Sequence, residues 1–452
     1  MIIRDREALA RGDRHRDHAL AIVQAGIEAV LPGNVIRDKV RLDGEILQVP
    51  GTEYDLRRYR RILVAGGGKA SGTMAMELEK VLGDRITAGA VIDRYGATAA
   101  TRRVKVILAG HPLPTEDGVR GMREIYRLLR DAAPGDLVIF LVSGGGSALM
   151  PCPAPGVSLE DEARLTDLLL KSGATIAEIN CVRKHVSRSK GGQVLRWAGG
   201  ADVLGLIISD VVGDDPSLIA SGPTAPDEST YSDALSVLEK YRLAGRAPPG
   251  VIRHLKAGVA GEVPETPRGG DPAFRHARNV VLASGIVALE AAAVKAAELG
   301  YRPIVLGAHI KGESRVVGLV HAGIARECLS TGHPCPPPAA ILSGGETTVT
   351  VRGSGRGGRN QELALGFLRD CGPGMTLVSV DTDGIDGATD ACGAIADHGT
   401  LRRAAGLSLS VDRALDDNSS YDFFRELGDL VFTGPTGTNV SDLRVVLVHE
   451  RP

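Results

Sequence analysis

Aromatic side chains are almost missing from this chain: they make up 3% of its 452 residues, with a single tryptophan. The interior must therefore be closed by Val, Leu, Ile and Ala. A surplus of either charge is missing too, since 53 Lys and Arg stand against 55 Asp and Glu with no long block of one sign. That excludes the positive face a nucleic-acid partner needs and gives no attraction to a membrane surface. Cysteine is scarce, and Cys152, Cys181, Cys328, Cys335, Cys371 and Cys392 form no CxxC pair and no zinc-ligand spacing. A metal knuckle and a disulfide framework are thereby excluded, leaving reduced, mostly buried thiols. No run approaches the ~20 apolar residues of a membrane span, and the first 19 positions are charged throughout, without an apolar signal core. The expected location is the cytoplasm.

What is present is glycine, 58 residues of it, gathered at the ends of apolar runs. The length predicts two or three domains. After an amphipathic helix near 14–31, short aliphatic runs at 61–65, 88–92, 104–109, 137–142 and 203–208 alternate with helical patterns such as 71–82 and 117–131. Near-continuous apolar runs suit strands buried on both faces of a parallel sheet. The rhythm predicts a Rossmann-like, doubly wound α/β domain over 1–255. A Pro- and Gly-rich stretch at 244–275 predicts a domain connection. A smaller α/β domain over 276–452 follows, with strands at 279–283, 303–306, 339–343, 376–380, 430–433 and 443–448. In two-domain α/β enzymes the site usually lies in the cleft between domains, at carboxyl ends of strands.

Each candidate site residue sits at such a strand end. The run 61–65 opens into Gly66, Gly67, Gly68, Lys69, Ala70 and Ser71 before a helix. Glycines let backbone N–H groups approach an anion, and a lysine there can offset phosphate charge. The loop is not a Walker A sequence. It partly fits a dinucleotide fingerprint, with Gly66 and Gly68 correctly spaced and Asp93 ending the next strand, but Ser71 stands at the third glycine position. The run 137–142 delivers a second such loop, Ser143, Gly144, Gly145, Gly146 and Ser147. The run 203–208 delivers Asp210, placed to hold a divalent metal, and then Asp214 and Asp215, which a turn before Pro216 could equally use as caps. Between these loops lies a basic segment that includes Arg183, Lys184, Arg188 and Lys190. It reads either as a solvated face or as an anion-facing segment.

The second half repeats the device. Glu346 follows Ser343-Gly344-Gly345, and Arg359 ends a glycine- and arginine-rich stretch before a helix, where a planar guanidinium suits carboxylate or phosphate oxygens. Asp381 and Asp386 follow another strand, and Asn439 lies in a hydroxyl- and glycine-rich turn. Repeated glycine loops at strand ends point to a polyanionic ligand.

The segments VAGGGKAS, LVSGGGSAL, ISDVVGDDPSLIASGPT, LSGGETTVTV, GRGGRNQELAL, VDTDGIDG and FTGPTGTNVSDL resemble the signatures of class II glycerate kinases, which carry a C-terminal MOFRL domain. The resemblance runs from about residue 14 to the C-terminus, in the family's order. It implies phosphorylation of D-glycerate to 2-phosphoglycerate, with ATP as co-substrate and Mg2+ or another divalent cation. The family's implicated lysine and arginine fall on Lys69 and Arg359. Strand-end position assigns metal duty to Asp210 and Asp381 and the proton-accepting role to Asp386. Phosphate or nucleotide contacts go to Gly66, Gly67, Gly68, Ser71, Ser143, Gly144, Gly145, Gly146, Ser147, Glu346 and Asn439. Arg183 or Arg359 would hold the glycerate carboxylate. The expected partners are these small molecules, neither nucleic acid nor membrane, with a homodimer as the assembly to test. The rival is an NAD(P)-dependent hydroxypyruvate reductase, resting on the Gly66 loop and Asp93.

Overall fold

A computed structural model describes residues 2–450. Three short strands, β1 (Arg41–Asp43), β2 (Ile46–Val49) and β3 (Thr52–Asp55), form an antiparallel sheet of their own. The apolar runs then become β4 (Arg61–Gly67), β5 (Ile86–Arg94), β6 (Val104–Ala109), β7 (Asp136–Val142), β8 (Asp202–Ile208) and β9 (Ala277–Ala283). They form one sheet in the order β6-β5-β4-β7-β8-β9, and the pairs β4–β5, β4–β7, β5–β6 and β7–β8 are parallel. In chain order this is 3-2-1-4-5-6, the doubly wound arrangement, whose switch point lies between its first and fourth strands. β7 is buried along its whole length, which is why it carries no alternation.

The second six-stranded sheet holds β10 (Arg302–Glu313), β11 (Ala339–Thr348), β12 (Met375–Asp381), β13 (Gly393–Asp397), β14 (Leu430–Val431) and β15 (Asp442–Val448). Its order is β10-β11-β15-β12-β13-β14. Only β10 and β11 pair in parallel; the last strand of the chain, β15, is inserted antiparallel between β11 and β12.

The chain forms two compact units, with boundaries unlike those expected from its composition. One holds the N-terminal residues up to Asn34, Asp210–Gly213 and everything from Ala283 onward; the other holds Val35–Ser209 and Asp214–Leu282. The helix Arg14–Ala29 therefore belongs with the C-terminal sheet rather than with a domain over 1–255. Its Leu20, Ile22, Val23 and Ile27 are fully buried in one cluster with Leu289, Val380, Val445 and Leu447. The stretch at 244–275 is no connection either. It carries the helix Pro249–Val259, whose Val251 and Leu255 complete a helical core with Leu165, Val182 and Leu238. Strand β13 and the helices His398–Gly406, Val411–Asp416 and Ser420–Leu427 were not foreseen. Among the described residues no single helix is long and apolar enough to cross a membrane.

Candidate active site

In the unit built on the parallel sheet, β4 and β7 lie side by side at the switch point and end in the two glycine loops. The loops are laced together. Lys69 N donates to Gly144 O at 2.9 Å, and Ala70 N donates to Ser143 Oγ at 3.1 Å. Gly68 has φ +148°, and a Cβ there would stand 2.2 Å from Ser143 Oγ and 2.5 Å from Ser143 O. Only glycine allows this approach. A Cβ on Gly145 would meet Lys69 Cγ and the His111 ring at about 3 Å, so both side chains flank the same turn. His111 gave no sequence signal, because it stands alone after β6.

Ser147 Oγ lies 2.6 Å from Ser221 Oγ, which donates at 2.9 Å to Asn180 Oδ1. Ala220 and Ser221 both have positive φ (+51° and +60°), an uncommon conformation for residues with a Cβ. They were legible only as part of the segment Ile219-Ala220-Ser221-Gly222. Arg183 sits on the helix Ile176–His185 with its Nε buried and unpartnered, and burial lowers its pKa. The buried Lys190 nearby donates to Glu162 Oε1 at 2.8 Å.

Two residues expected to touch ligand are otherwise engaged. Ser71 is fully buried, with its hydroxyl within reach of Gly68 O (2.9 Å) and Ile92 O (2.7 Å), so it shapes the turn and offers nothing to a phosphate. Asp93 accepts from Gly72 N at 2.9 Å and from Arg94 N at 2.7 Å, 1% exposed, and so caps the helix Ser71–Leu82 from inside. A dinucleotide ribose would need that carboxylate free.

The other unit holds a charge cluster around Arg359, the first residue of the helix Arg359–Leu368. Its Nε donates to Asp442 Oδ1 (2.7 Å), its Nη1 to Glu346 Oε1 (2.8 Å) and its Nη2 to Asp381 Oδ2 (2.8 Å). Glu346 is the exposed member, at 52% for its side chain, whereas Asp442 is wholly buried. Asp442 Oδ2 is held at 2.5 Å by the buried Arg444, and Asn360 Nδ2 donates to Asp442 Oδ1 at 2.9 Å. Asp442, Arg444 and Asn360 were missed as site residues. Their one signal was a pair of opposite charges two positions apart in an otherwise apolar strand, on one face of it.

Burial opposes the charge on Arg359, yet Asp442, Asp381 and Glu346 raise its pKa above the ordinary value, so it stays a cation. The Asp381 carboxyl is pushed up by burial and then by Asp383 and Asp442. Asp386 departs from expectation. It is fully buried, and its two oxygens accept from Asn360 N (3.1 Å) and Gln361 N (3.0 Å), capping the helix that carries Arg359. A Cβ on Gly358 would stand 2.2 Å from Asp386 Cγ, which explains the glycine. Burial pushes the Asp386 carboxyl up to about 6 against those backbone donors. A carboxylate spent on a helix start cannot reach a substrate hydroxyl.

Asp210 belongs to this unit, its carbonyl accepting from Ser441 Oγ at 3.1 Å, and Asn439 Oδ1 accepts from Ser441 N at 3.0 Å. Asp215 does cap its turn, accepting from Ser217 N at 2.8 Å. Among the described residues no three His, Cys, Asp or Glu side chains are grouped to hold a metal ion.

Comparison with known proteins adds the following. Residues 18–256 match a domain family described only as of unknown function, DUF4147, and residues 339–442 match the MOFRL family. The chain is 40% identical to the glycerate 2-kinase of Pyrococcus horikoshii, over 96% of this chain and 98% of that one. It is 43% identical to an Agrobacterium vitis protein named only provisionally as a hydroxypyruvate reductase, over 86% of this chain and 99% of the relative. The crystal structure of glycerate kinase from Thermotoga maritima is 37% identical and superposes with a TM-score of 0.84, covering 95% of this chain and 98% of that one.

Proposed function

The chain belongs to the MOFRL-containing glycerate kinase family and is a kinase, and from that premise we propose that it transfers the γ-phosphate of ATP to the C2 hydroxyl of D-glycerate, releasing ADP and 2-phosphoglycerate. The observation that carries this reading is the pair of interlocked glycine loops at the switch point of the parallel sheet, with Lys69 in the first. Phosphoryl transfer is mainly positioning and charge stabilisation, so it draws on amides, cations and a metal more than on a strong nucleophile. Lys69 offsets charge on the phosphates. Arg359 offers its planar edge to an anion, and Glu346, the exposed partner, is the contact an incoming carboxylate or phosphate replaces. Asp386 serves as a positioning residue, fixing the helix start that presents Arg359.

The donor set fits a divalent ion that arrives with the nucleotide. Magnesium keeps several waters and takes one or two carboxylates beside phosphate oxygens, so a protein cage is not required. Asp381, Asp210 and Glu346 are the carboxylates that would hold it in the Arg359 unit, whose charge cluster sets Glu346, Asp381, Asp383 and Asp442 against Arg359 and Arg444. When bound, the ion would neutralise charge on the transferring phosphate.

Incubation with ATP, magnesium and D-glycerate, followed by phosphorus NMR, is expected to show 2-phosphoglycerate. The 3-phosphate would reassign the acceptor hydroxyl. Turnover undiminished in excess EDTA would remove the metal. The reductase alternative predicts hydroxypyruvate-dependent loss of NADH absorbance, and the buried cap formed by Asp93 speaks against it.

A further inference from the structure

The lone tryptophan, Trp197, lines a cavity of about 430 Å3 in the unit built on the parallel sheet. None of the loop residues assigned to phosphoryl transfer lines it. One wall is a stripe of the helix Glu116–Arg130, from which Glu116, Val119, Arg123 and Tyr126 project at helical spacing. Tyr126 and Trp197 meet edge to face, with centroids 5.3 Å apart and planes at 87°. The Arg188 guanidinium lies 5.5 Å from the Tyr126 centroid and 5.9 Å from that of Trp197. A guanidinium held against rings keeps its N–H edge unspent while its plane is fixed.

Arg123 and Arg188 also lack carboxylate partners among the described residues, whereas Arg120 and Arg127 on the same helix each pair with an acid three residues earlier. Glu116 is the only acid in the lining, so the cavity carries net positive charge. Val119 on that stripe and Val157 beyond it offer only apolar surface. Two unpaired guanidiniums match a dianion in charge and geometry, and the apolar walls match an organic body.

We propose that this cavity is a second ligand site for a phosphate ester with an apolar or planar body. Arg123 and Arg188 take the phosphate oxygens, while Val119, Val157 and the Tyr126–Trp197 pair cover the body.

Because Trp197 is the only tryptophan, its fluorescence reports on this cavity alone. In titrations of the full chain, AMP is expected to change the emission saturably, and inorganic phosphate to act at least about tenfold more weakly because it lacks a body. Arg188→Gln and Arg123→Gln should each weaken the AMP response by about tenfold or more, with kcat and KM for ATP unchanged within about twofold. Arg123 is exposed, so its replacement spares the fold. A fluorescence change absent with AMP, or unaltered in both variants, overturns the site. Phosphate binding as tightly as AMP overturns the organic body. A matching rise in KM for ATP would make the cavity part of the catalytic nucleotide site and overturn its separateness.

Discussion

Arg359 and Asp386 show how much one side chain's value depends on its partners. Arg359 bonds three carboxylates through separate nitrogens, a geometry lysine cannot copy with one ammonium. Arg359→Lys is expected to stay folded and to lose about 100-fold in kcat/KM, the order typical of removing one preorganised charge contact. A raised KM for glycerate alone would assign it to the substrate carboxylate, and a fall in kcat alone to the phosphate in flight. Wild-type kinetics would remove it from the site. For Asp386 the measurement is stability. Its folded pKa, about 6, lies above its ordinary 3.8, so the folded state binds the extra proton and this group's contribution falls as pH rises from about 4 to about 6. Asp386→Ala loses two cap contacts, a cost of about 1–2 kcal/mol. The wild-type advantage over that variant should therefore be larger at pH 4 than at pH 7 in denaturant titrations. An advantage independent of pH would mean that Asp386 keeps an ordinary pKa.

At the scale of elements, the glycine loops work as a pair. Gly68→Ala must fit a Cβ against Ser143 Oγ and Ser143 O at a φ of +148°, which residues with a side chain rarely adopt. The expected cost is about 1–3 kcal/mol, with loss of turnover beyond what the lowered Tm explains, since the Lys69 and Gly144 backbones would separate. A variant with unaltered melting and turnover would show that the loops do not depend on each other. The loops, their strands and the following helix were legible, because glycine after a buried apolar run is a local signal. The bond partners were not. Ser71 and Asp93 look like ligand contacts in a one-dimensional reading, and both turn inward to satisfy the turn and the helix start. Asp442 and Arg444 went unnoticed although their alternation was visible, because a charged pair in a strand reads equally as an exposed edge. Insertion of β15 between β11 and β12 makes it central.

On the scale of the whole molecule, the N-terminal helix matters most. Four fully buried aliphatic residues, Leu20, Ile22, Val23 and Ile27, join the core under the C-terminal sheet. At about 1.5–3 kcal/mol each, they contribute about 6–12 kcal/mol, comparable with the whole stability of a domain. Arg16 adds buried ion pairs to Asp397 (2.7 Å) and Asp429 (2.6 Å). Deleting residues 2–31 is therefore expected to leave the C-terminal half unfolded, read as lost near-UV circular dichroism and rapid proteolysis of 283–452. A stable, protease-resistant fragment 283–452 would contradict this packing.

The sequence by itself determined the doubly wound half, the glycine loops at its strand ends, and the kinase family, because apolar periodicity and residue spacing are local properties. Only the tertiary structure decided which unit owns the helix Arg14–Ala29. It also decided that Asp386 is spent on a helix start and that Arg359 is shared among Glu346, Asp381 and Asp442. Those outcomes depend on partners up to several hundred residues away in the chain, and a buried polar group takes whichever partner the fold brings within reach.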